Sequence, residues 1–277
     1  MKSFFSDPYH RDTQIKNNQE ISKSPSRTEI INFLLSLYQE ETTYLEIGVR
    51  NPEDNYNHIK ADTKYSVDPG VEFKGNPVNF KMTSDAFFQK LSANEILSNE
   101  IKFDVIFIDG LHLAPQVDRD IKNAVNYIKD DGFIVLHDCN PPSEWHARET
   151  FKYKKSPAQR YWNGTTWKAF LKWRYNPSIN SCCIDSDFGV GILSKNNQIG
   201  RNIESVNPFF EYGLLEANRK EYLNFILKGL FFRQINIFCG YICHSFFFRR
   251  LTHRKGCYCK RKNECWKVKV HGVNIFV

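Results

Sequence analysis

Between Thr43 and Leu136 short runs of strand-forming residues alternate with runs of helical period, and this alternation constrains the fold more than any other feature of the 277-residue chain. Thr43 to Ile47 reads as a strand, Pro52 to Ala61 as a helical turn, Lys64 to Val67 as a second strand and Val78 to Met82 as a third. Ser84 reads as the cap of a helix from Asp85 to Leu97. Phe103 to Ile108 is an apolar run of the kind expected of a strand buried on both faces. From Ala114 to Lys129, Val117, Ile121, Ala124, Val125 and Ile128 share one helical face, which Asp131-Gly132 ends before a further short strand, Phe133 to Leu136. Strands that alternate with helices make a parallel sheet covered on both sides, and right-handed crossovers leave few ways to wind it. The expectation is a doubly wound α/β domain.

The flanks are less regular. Residues 1 to 26 are polar, show no apolar periodicity and read as a loose arm or surface cover; Ser26 then opens a helix whose apolar face is Ile30, Ile31, Phe33, Leu34, Leu37 and Tyr38. After Asn140 about two dozen residues rich in aromatic and basic side chains interrupt the pattern. A helix from Thr166 to Arg174 and two strands, Asn180 to Ile184 and Gly189 to Leu193, follow, the strands close enough to form a hairpin around Asp185-Ser186-Asp187. These features divide the chain into an arm (1–26), an α/β domain (27–200) and a C-terminal extension (201–277) with an apolar helix over 222–248 and a basic, cysteine-containing end over 249–277.

Charge is distributed unevenly. Nine of the 38 Lys and Arg lie from Arg249 onwards against a single acid, Glu264, so the whole excess of +7 sits in that end and the remaining body is one charge negative. A near-neutral body has no bulk attraction for polyanions, which argues against nucleic acid as a partner. The N-terminus lacks the apolar stretch of a secretory signal, which points to a cytoplasmic protein. Cys182 and Cys183 are neighbours in a strand, face opposite ways and cannot pair readily, so the body reads as reduced. Three readings of the tail stay open: an amphipathic segment resting on an anionic membrane, a zinc site among Cys257, Cys259 and Cys265 with His253 or His271, and a dispensable extension.

In an open parallel sheet, ligands bind where the carboxyl ends of the strands meet the reversal of winding. The polar residues collect there: Glu46 and Gly48, Asp68, Ser84 and Asp85, Asp109, and Asp138 follow the five successive strands. If the strands before Asp109 and Asp138 are neighbours, their backbones lie roughly 4.8 Å apart and both carboxylates emerge at one edge. Two such groups suit Mg²⁺, which prefers carboxylates and water.

Leu45-Glu46-Ile47-Gly48, Val67-Asp68-Pro69, Phe107 to His112 and Gly132 to Asp138 resemble the successive motifs of class I S-adenosylmethionine-dependent methyltransferases, in the bacterial branch known by its methyltransferase domain; the resemblance covers about residues 28 to 195. It implies a Rossmann-like, seven-stranded, mostly parallel sheet with S-adenosylmethionine as cofactor. By the same resemblance Glu46 and Gly48 line the methionine moiety, Asp68 holds the ribose, Ser84 and Asp85 lie near the adenine, and Asp109 borders the cofactor. The first loop departs from the pattern, since Gly48-Val49-Arg50-Asn51-Pro52 carries a single glycine.

Metal-dependent O-methyltransferases of catechols and sugars, which the region also resembles, place metal-binding acids where Asp109 and Asp138 stand, and the sugar enzymes carry a histidine at the spacing of His112. That implies Mg²⁺ on Asp109 and Asp138, a third ligand supplied by His137 or Asn140, and His112 as the base that takes the proton of an acceptor hydroxyl. Trp145, His146, Arg148, Tyr161, Trp162 and Trp167 read either as an acceptor-binding lid, since aromatic faces stack on sugar rings, or as core cover; Asn163-Gly164-Thr165 reads as a turn and helix cap. The expected partner is a small-molecule or glycan acceptor, with peripheral membrane contact through the basic end as an addition. The alternative function is a non-catalytic binding or membrane-associated protein on the same fold.

Overall fold

The computed structural model describes residues 7–226 apart from 73, 74, 76, 153, 154, 202 and 205–208, together with the backbone of two strands, 267–270 and 273–276. The chain forms two units, residues 1–239 and 240–277. In the first, helices α1 (Pro8–Ser22) and α2 (Arg27–Leu35) precede strands β1 (Thr43–Ile47) and β2 (Thr63–Val67). Then come α3 (Ser84–Ser92), β3 (Phe103–Ile108), α4 (Ala114–Tyr127), β4 (Ile128–Leu136), α5 (Thr166–Arg174), the hairpin β5 (Asn180–Ile184) and β6 (Val190–Ser194), α6 (Tyr212–Leu223) and β7 (Phe225–Ile226). In the second unit β8 (Lys267–Val270) and β9 (Val273–Phe276) pair antiparallel.

The sheet order is β2-β1-β3-β4-β6-β5-β7, with β6 antiparallel to both its neighbours and the other pairings parallel. This is the doubly wound, seven-stranded, mostly parallel architecture expected, reached with a different strand set. Val78 to Met82 forms only a single parallel bridge, Val67 to Phe80, and the seventh strand is Phe225–Ile226 at the opposite edge. Asn224, at φ 47°, ends α6 and turns the chain into that strand, so the helix expected from Tyr222 is not continuous there; its remainder, from residue 227, lies outside the described residues, as do the five cysteines from Cys239 onwards.

Each face of the sheet is covered by apolar side chains. On one side Phe87, Phe88 and Leu91 of α3, Val117, Ile121 and Ala124 of α4 and Trp167 and Phe170 of α5 pack on Leu45, Ile106, Ile134 and Cys183. On the other, Ile30, Ile31, Leu34 and Leu35 of α2 pack on Tyr44, Val105, Phe107, Val135 and Cys182. The adjacent cysteines thus face opposite layers, and both are free thiols. Trp167 is buried core rather than part of a lid. Asp104 interrupts the apolar run of β3, and its buried carboxylate accepts the Thr43 amide (2.8 Å) and an ion pair from Lys129 (2.7 Å). A buried carboxylate is tolerated when it is paired and hydrogen-bonded in this way.

Two helix ends differ from expectation. Thr83 rather than Ser84 caps α3, accepting the Ala86 amide, and the helix stops at Ser92. Helix α4 ends at Tyr127, because Ile128 already pairs with Phe103 as the start of β4. The larger departure is α1, where a loose arm was expected. Asp7 caps it and Pro8 opens it, and its buried residues, His10, Thr13, Asn17 and Glu20, recur at helical spacing. The stripe is polar, so an apolar-periodicity reading passes over it.

Candidate active site

Parallel register sets the site. Ile47 pairs with Val67 and Ile108, and Ile108 with Leu136, so Gly48, Asp68, Asp109 and His137 leave their strands side by side at one carboxyl edge. Gly48, at φ 91°, lies against the backbone of the next strand end, where a Cβ would fall 2.5 Å from the Gly110 Cα and nearer still to the Asp109 carbonyl. Asp109 donates its amide to the Ile47 carbonyl at 2.8 Å, and Asp138 adopts φ 61° in turning off β4.

Asp109, Asp138, His112 and His137 meet there. His112 places Nε2 3.3 Å from Asp109 and Nδ1 3.1 Å from Asp138, and His137 places Nδ1 3.3 Å from Asp109 and 3.5 Å from Asp138. Burial disfavours the imidazolium form of His112, but Asp138 and Asp109 outweigh it and raise the ring to about 9. Burial likewise opposes charge on His137, yet Asp138 and Asp109 raise it well above the usual histidine range. Asp109, though desolvated, is held far below the usual carboxylate range by His137 and His112.

One loop holds His112 in place. Its Nδ1 also faces the Trp162 carbonyl (3.0 Å), its ring stacks on Trp162 at 5.5 Å, and its carbonyl accepts the Thr165 amide (2.8 Å). Gly164, at φ 61°, packs so tightly on the His112 backbone that any side chain would overlap it. The Asn163-Gly164-Thr165 turn therefore does more than cap. Thr165 Oγ1 accepts the Ala114 amide at the start of α4 (2.7 Å) and makes no side-chain cap on α5, while Asn163 Nδ2 donates to Asp138 at 2.8 Å.

Behind His137 stands a further pair. Asp187 lies 3.2 Å from His137 Nε2, pairs with Arg27 (3.3 Å) and accepts the Arg27 amide (2.8 Å). It sits in a hairpin turn where Asp187, Phe188 and Gly189 all have positive φ. Asn163, Arg27 and Asp187 were not among the sequence-derived site residues; Asp187 stood only as a turn residue, and nothing in its local pattern links it to residue 137.

Asn140 is not brought to this cluster. Its amide donates to Asp185 (3.1 Å) and its carbonyl oxygen accepts from Arg219, so of the two candidates for a third ligand only His137 joins the carboxylates. Asp109, His137 and Asp138 each offer a ligand atom within 4.8 Å of the others. Two carboxylates and an imidazole are a donor set that a divalent cation fits.

The residues expected around a cofactor are spread along the same edge. Glu46 is buried on the α2 side, where it accepts from Tyr44 (2.6 Å) and Asn55 (2.9 Å); desolvation raises its carboxyl to about 7 despite these bonds. Asp68 is half-buried, accepts the Gly70 amide (2.5 Å) and is raised by desolvation. Ser84 and Asp85, at the start of α3, tie that helix to α4: both accept from Gln116, and Asp85 pairs with Arg119. Of the aromatic loop, Trp145 stacks under Arg148 at 3.7 Å, and Tyr161 stacks on Phe188 at 5.5 Å. His146 is buried between Ser143 (2.8 Å) and Asn17 (2.6 Å), and burial lowers it to about 3, so it is neutral.

A parallel α/β sheet with acidic residues aligned at the carboxyl ends of its first strands is the architecture of a class I methyltransferase domain. Residues 13–139 match the family described as "Methyltransferase domain". No curated protein sequence matches the chain. Among solved structures it is similar to the O-methyltransferase from Bacillus cereus in complex with S-adenosylhomocysteine (14% identity, 68% of this chain and 91% of that one, TM-score 0.39). It is similar too to an S-adenosylhomocysteine-bound Podospora anserina methyltransferase (14%, 69% and 88%, TM-score 0.41). A third is the MycE methyltransferase of the mycinamycin biosynthetic pathway, in complex with Mg and S-adenosylhomocysteine (12%, 75% and 60%, TM-score 0.39). Among the described residues no helix is long and apolar enough to cross a membrane.

Proposed function

We propose that this domain transfers the methyl group of S-adenosylmethionine to a hydroxyl of a sugar or glycosylated small molecule, with His112 as the base and a divalent cation held by Asp109, Asp138 and His137. The observation that carries this reading is the contact of His112 with both carboxylates at the strand edge where the fold binds its ligands. In the transfer the hydroxyl oxygen attacks the methyl carbon, the carbon–sulfur bond breaks with its electron pair passing to sulfur, and the hydroxyl proton goes to an imidazole nitrogen of neutral His112, the form that a dication on Asp109 and Asp138 would favour by offsetting the two carboxylates that otherwise keep the ring protonated. A bound dication would supply Lewis-acid stabilisation of the developing alkoxide. Trp162, stacked on His112, and Phe151, 5.5 Å from Trp162, form an aromatic wall beside the base that suits the apolar face of a sugar ring.

The test is S-adenosylhomocysteine binding followed by transfer of labelled methyl groups to a panel of glycosides. Raised thermal stability with the ligand and label on a hydroxyl are expected. Absence of any shift at millimolar ligand would overturn the cofactor assignment, and full activity of Asp109→Asn in the presence of chelator would overturn the metal's part. A second reading, a non-catalytic binding or membrane-associated protein, is favoured by the single-glycine loop Gly48 to Pro52. Its mark is cofactor binding without turnover on any hydroxyl acceptor.

A further inference from the structure

The third ligand position bears on which cation the site selects. Mg²⁺ favours oxygen donors and retained waters, whereas imidazole suits Mn²⁺, Fe²⁺, Co²⁺, Ni²⁺ and Zn²⁺ increasingly well. Here an imidazole stands where an all-oxygen site would have a carboxylate or amide. Asn140, the oxygen donor nearest in sequence, is tied to Asp185 and Arg219, and residue 139 is a buried cysteine whose Sγ faces the carbonyls of Leu136 and His137.

The surroundings of His137 fix how it is presented. Asp187 lies 3.2 Å from Nε2 and is itself pinned by the Arg27 backbone amide and guanidinium. Nε2 faces the Arg27 guanidinium at 3.4 Å as well, but the nearer Asp187 carboxylate is the group there that can take the ring's N–H, which leaves Nδ1 towards Asp109 and Asp138, as carboxylates behind metal-bound histidines do. Nδ1 is 3.3 and 3.5 Å from the two oxygens, spacings that suit atoms sharing one ion about 2.1 Å from each.

We propose that Asp187, supported by Arg27, is a positioning residue that makes His137 a metal ligand, and that the centre consequently selects an imidazole-binding divalent ion such as Mn²⁺ or Co²⁺ over Mg²⁺. This rests on the metal site of the preceding reading but not on methyl transfer itself. The measurement is metal binding to the full chain stripped with chelator, without substrate or cofactor. Co²⁺ is followed by its visible absorption and Mn²⁺ by electron spin echo, with Mg²⁺ as competitor.

The expected result is one tight Co²⁺ or Mn²⁺ site that a 100-fold excess of Mg²⁺ fails to empty, with ¹⁴N modulation from a single bound imidazole. Asp187→Asn should weaken binding roughly 10- to 100-fold while the fold, read by circular dichroism, persists. His137→Asp should abolish the ¹⁴N signal and narrow the preference over Mg²⁺ at least tenfold. Displacement of Co²⁺ by equimolar Mg²⁺ in the unmodified chain would overturn the proposal, as would ¹⁴N modulation that survives His137→Asp. Failure of S-adenosylhomocysteine to bind, with the metal results as expected, would overturn the methyltransferase reading alone.

Discussion

Gly48→Ala tests the geometry on which the whole edge depends. The glycine has φ 91°, a region in which an L-residue is strained by about 1 to 3 kcal/mol. Its Cβ would also meet the Asp109 carbonyl and the Gly110 Cα, both backbone atoms, so the overlap is relieved only by shifting β1 from β3, at a further cost of about 1 to 3 kcal/mol. A loss of about 4 kcal/mol follows, which for a domain of this size lowers Tm by roughly 8 to 16 °C. The assay is thermal and urea unfolding of the full chain, with Gly110→Ala and Gly213→Ala as controls. A Cβ at Gly110 would meet nothing closer than Ile47 Cγ2 at 3.7 Å, and one at Gly213 would meet no atom within 4 Å. Both controls should stay within about 1 kcal/mol of the parent. A loss under about 1 kcal/mol for Gly48→Ala, or equal losses for all three, would refute the close approach of the two strand ends.

The remaining expectations concern charge. With its carboxyl raised to about 7 from an unfolded value near 4.5, Glu46 contributes stability below pH 4.5 that is lost as pH climbs to 7, on the order of 3 kcal/mol in all. Glu46→Gln should flatten that part of the stability-versus-pH curve, and an unchanged curve in urea melts between pH 4 and 8 would count against the buried carboxyl. If Glu46 meets the cofactor's ammonium, S-adenosylhomocysteine affinity should rise over the same interval in the parent and not in the variant, as calorimetry would read. His112→Gln should cut kcat by about 10²- to 10⁴-fold, read by single-turnover assay well below the melt, and should also lower Tm, because it leaves Asp109 and Asp138 without the imidazole that pairs with both. Arg174, fully buried, donates to Ser181 (2.9 and 3.0 Å) and to the carbonyls of Tyr222, Arg201 and Glu221; Arg174→Met orphans these acceptors and should cost about 3 to 5 kcal/mol in urea unfolding.

The carboxylates could be read from the chain because each follows a strand directly, and parallel pairing carries successive strand ends to one edge whatever the loops do. That argument reaches Asp68, Asp109 and Asp138, and Glu46 just inside the end of β1, whereas His112 is reached only through the resemblance to sugar O-methyltransferases. It does not reach groups that arrive from distant loops. Asn163 reaches Asp138 across 25 residues, and Asp187 reaches His137 across 50, each through a turn with positive φ whose direction no local preference sets. The third expected strand failed for a related reason: an edge strand needs only one partner, and Phe80 satisfies the β2 edge with a single bridge while Asn79 supplies side-chain bonds to Ser66.

Helix α1 shows the same limit from the other side. A stripe of His10, Thr13, Asn17 and Glu20 looks like a solvated face in sequence, because burying polar groups is unfavourable unless partners await them. In the fold part of the stripe finds partners: Asn17 Oδ1 accepts from His146, and Glu20 pairs locally with Lys23, which also reaches Asp185 in the hairpin that carries Asp187, while Asn17 Nδ2 and Glu20 Oε2 stay buried without a hydrogen bond. Docking of α1 is therefore specified by complementary hydrogen bonds rather than by apolar area, and its signal is shared between residues more than 100 positions apart. A polar seam of this kind gives little hydrophobic stabilisation; what it adds is a tie from the end of α1, through Lys23, to Asp185 in the turn that also carries Asp187.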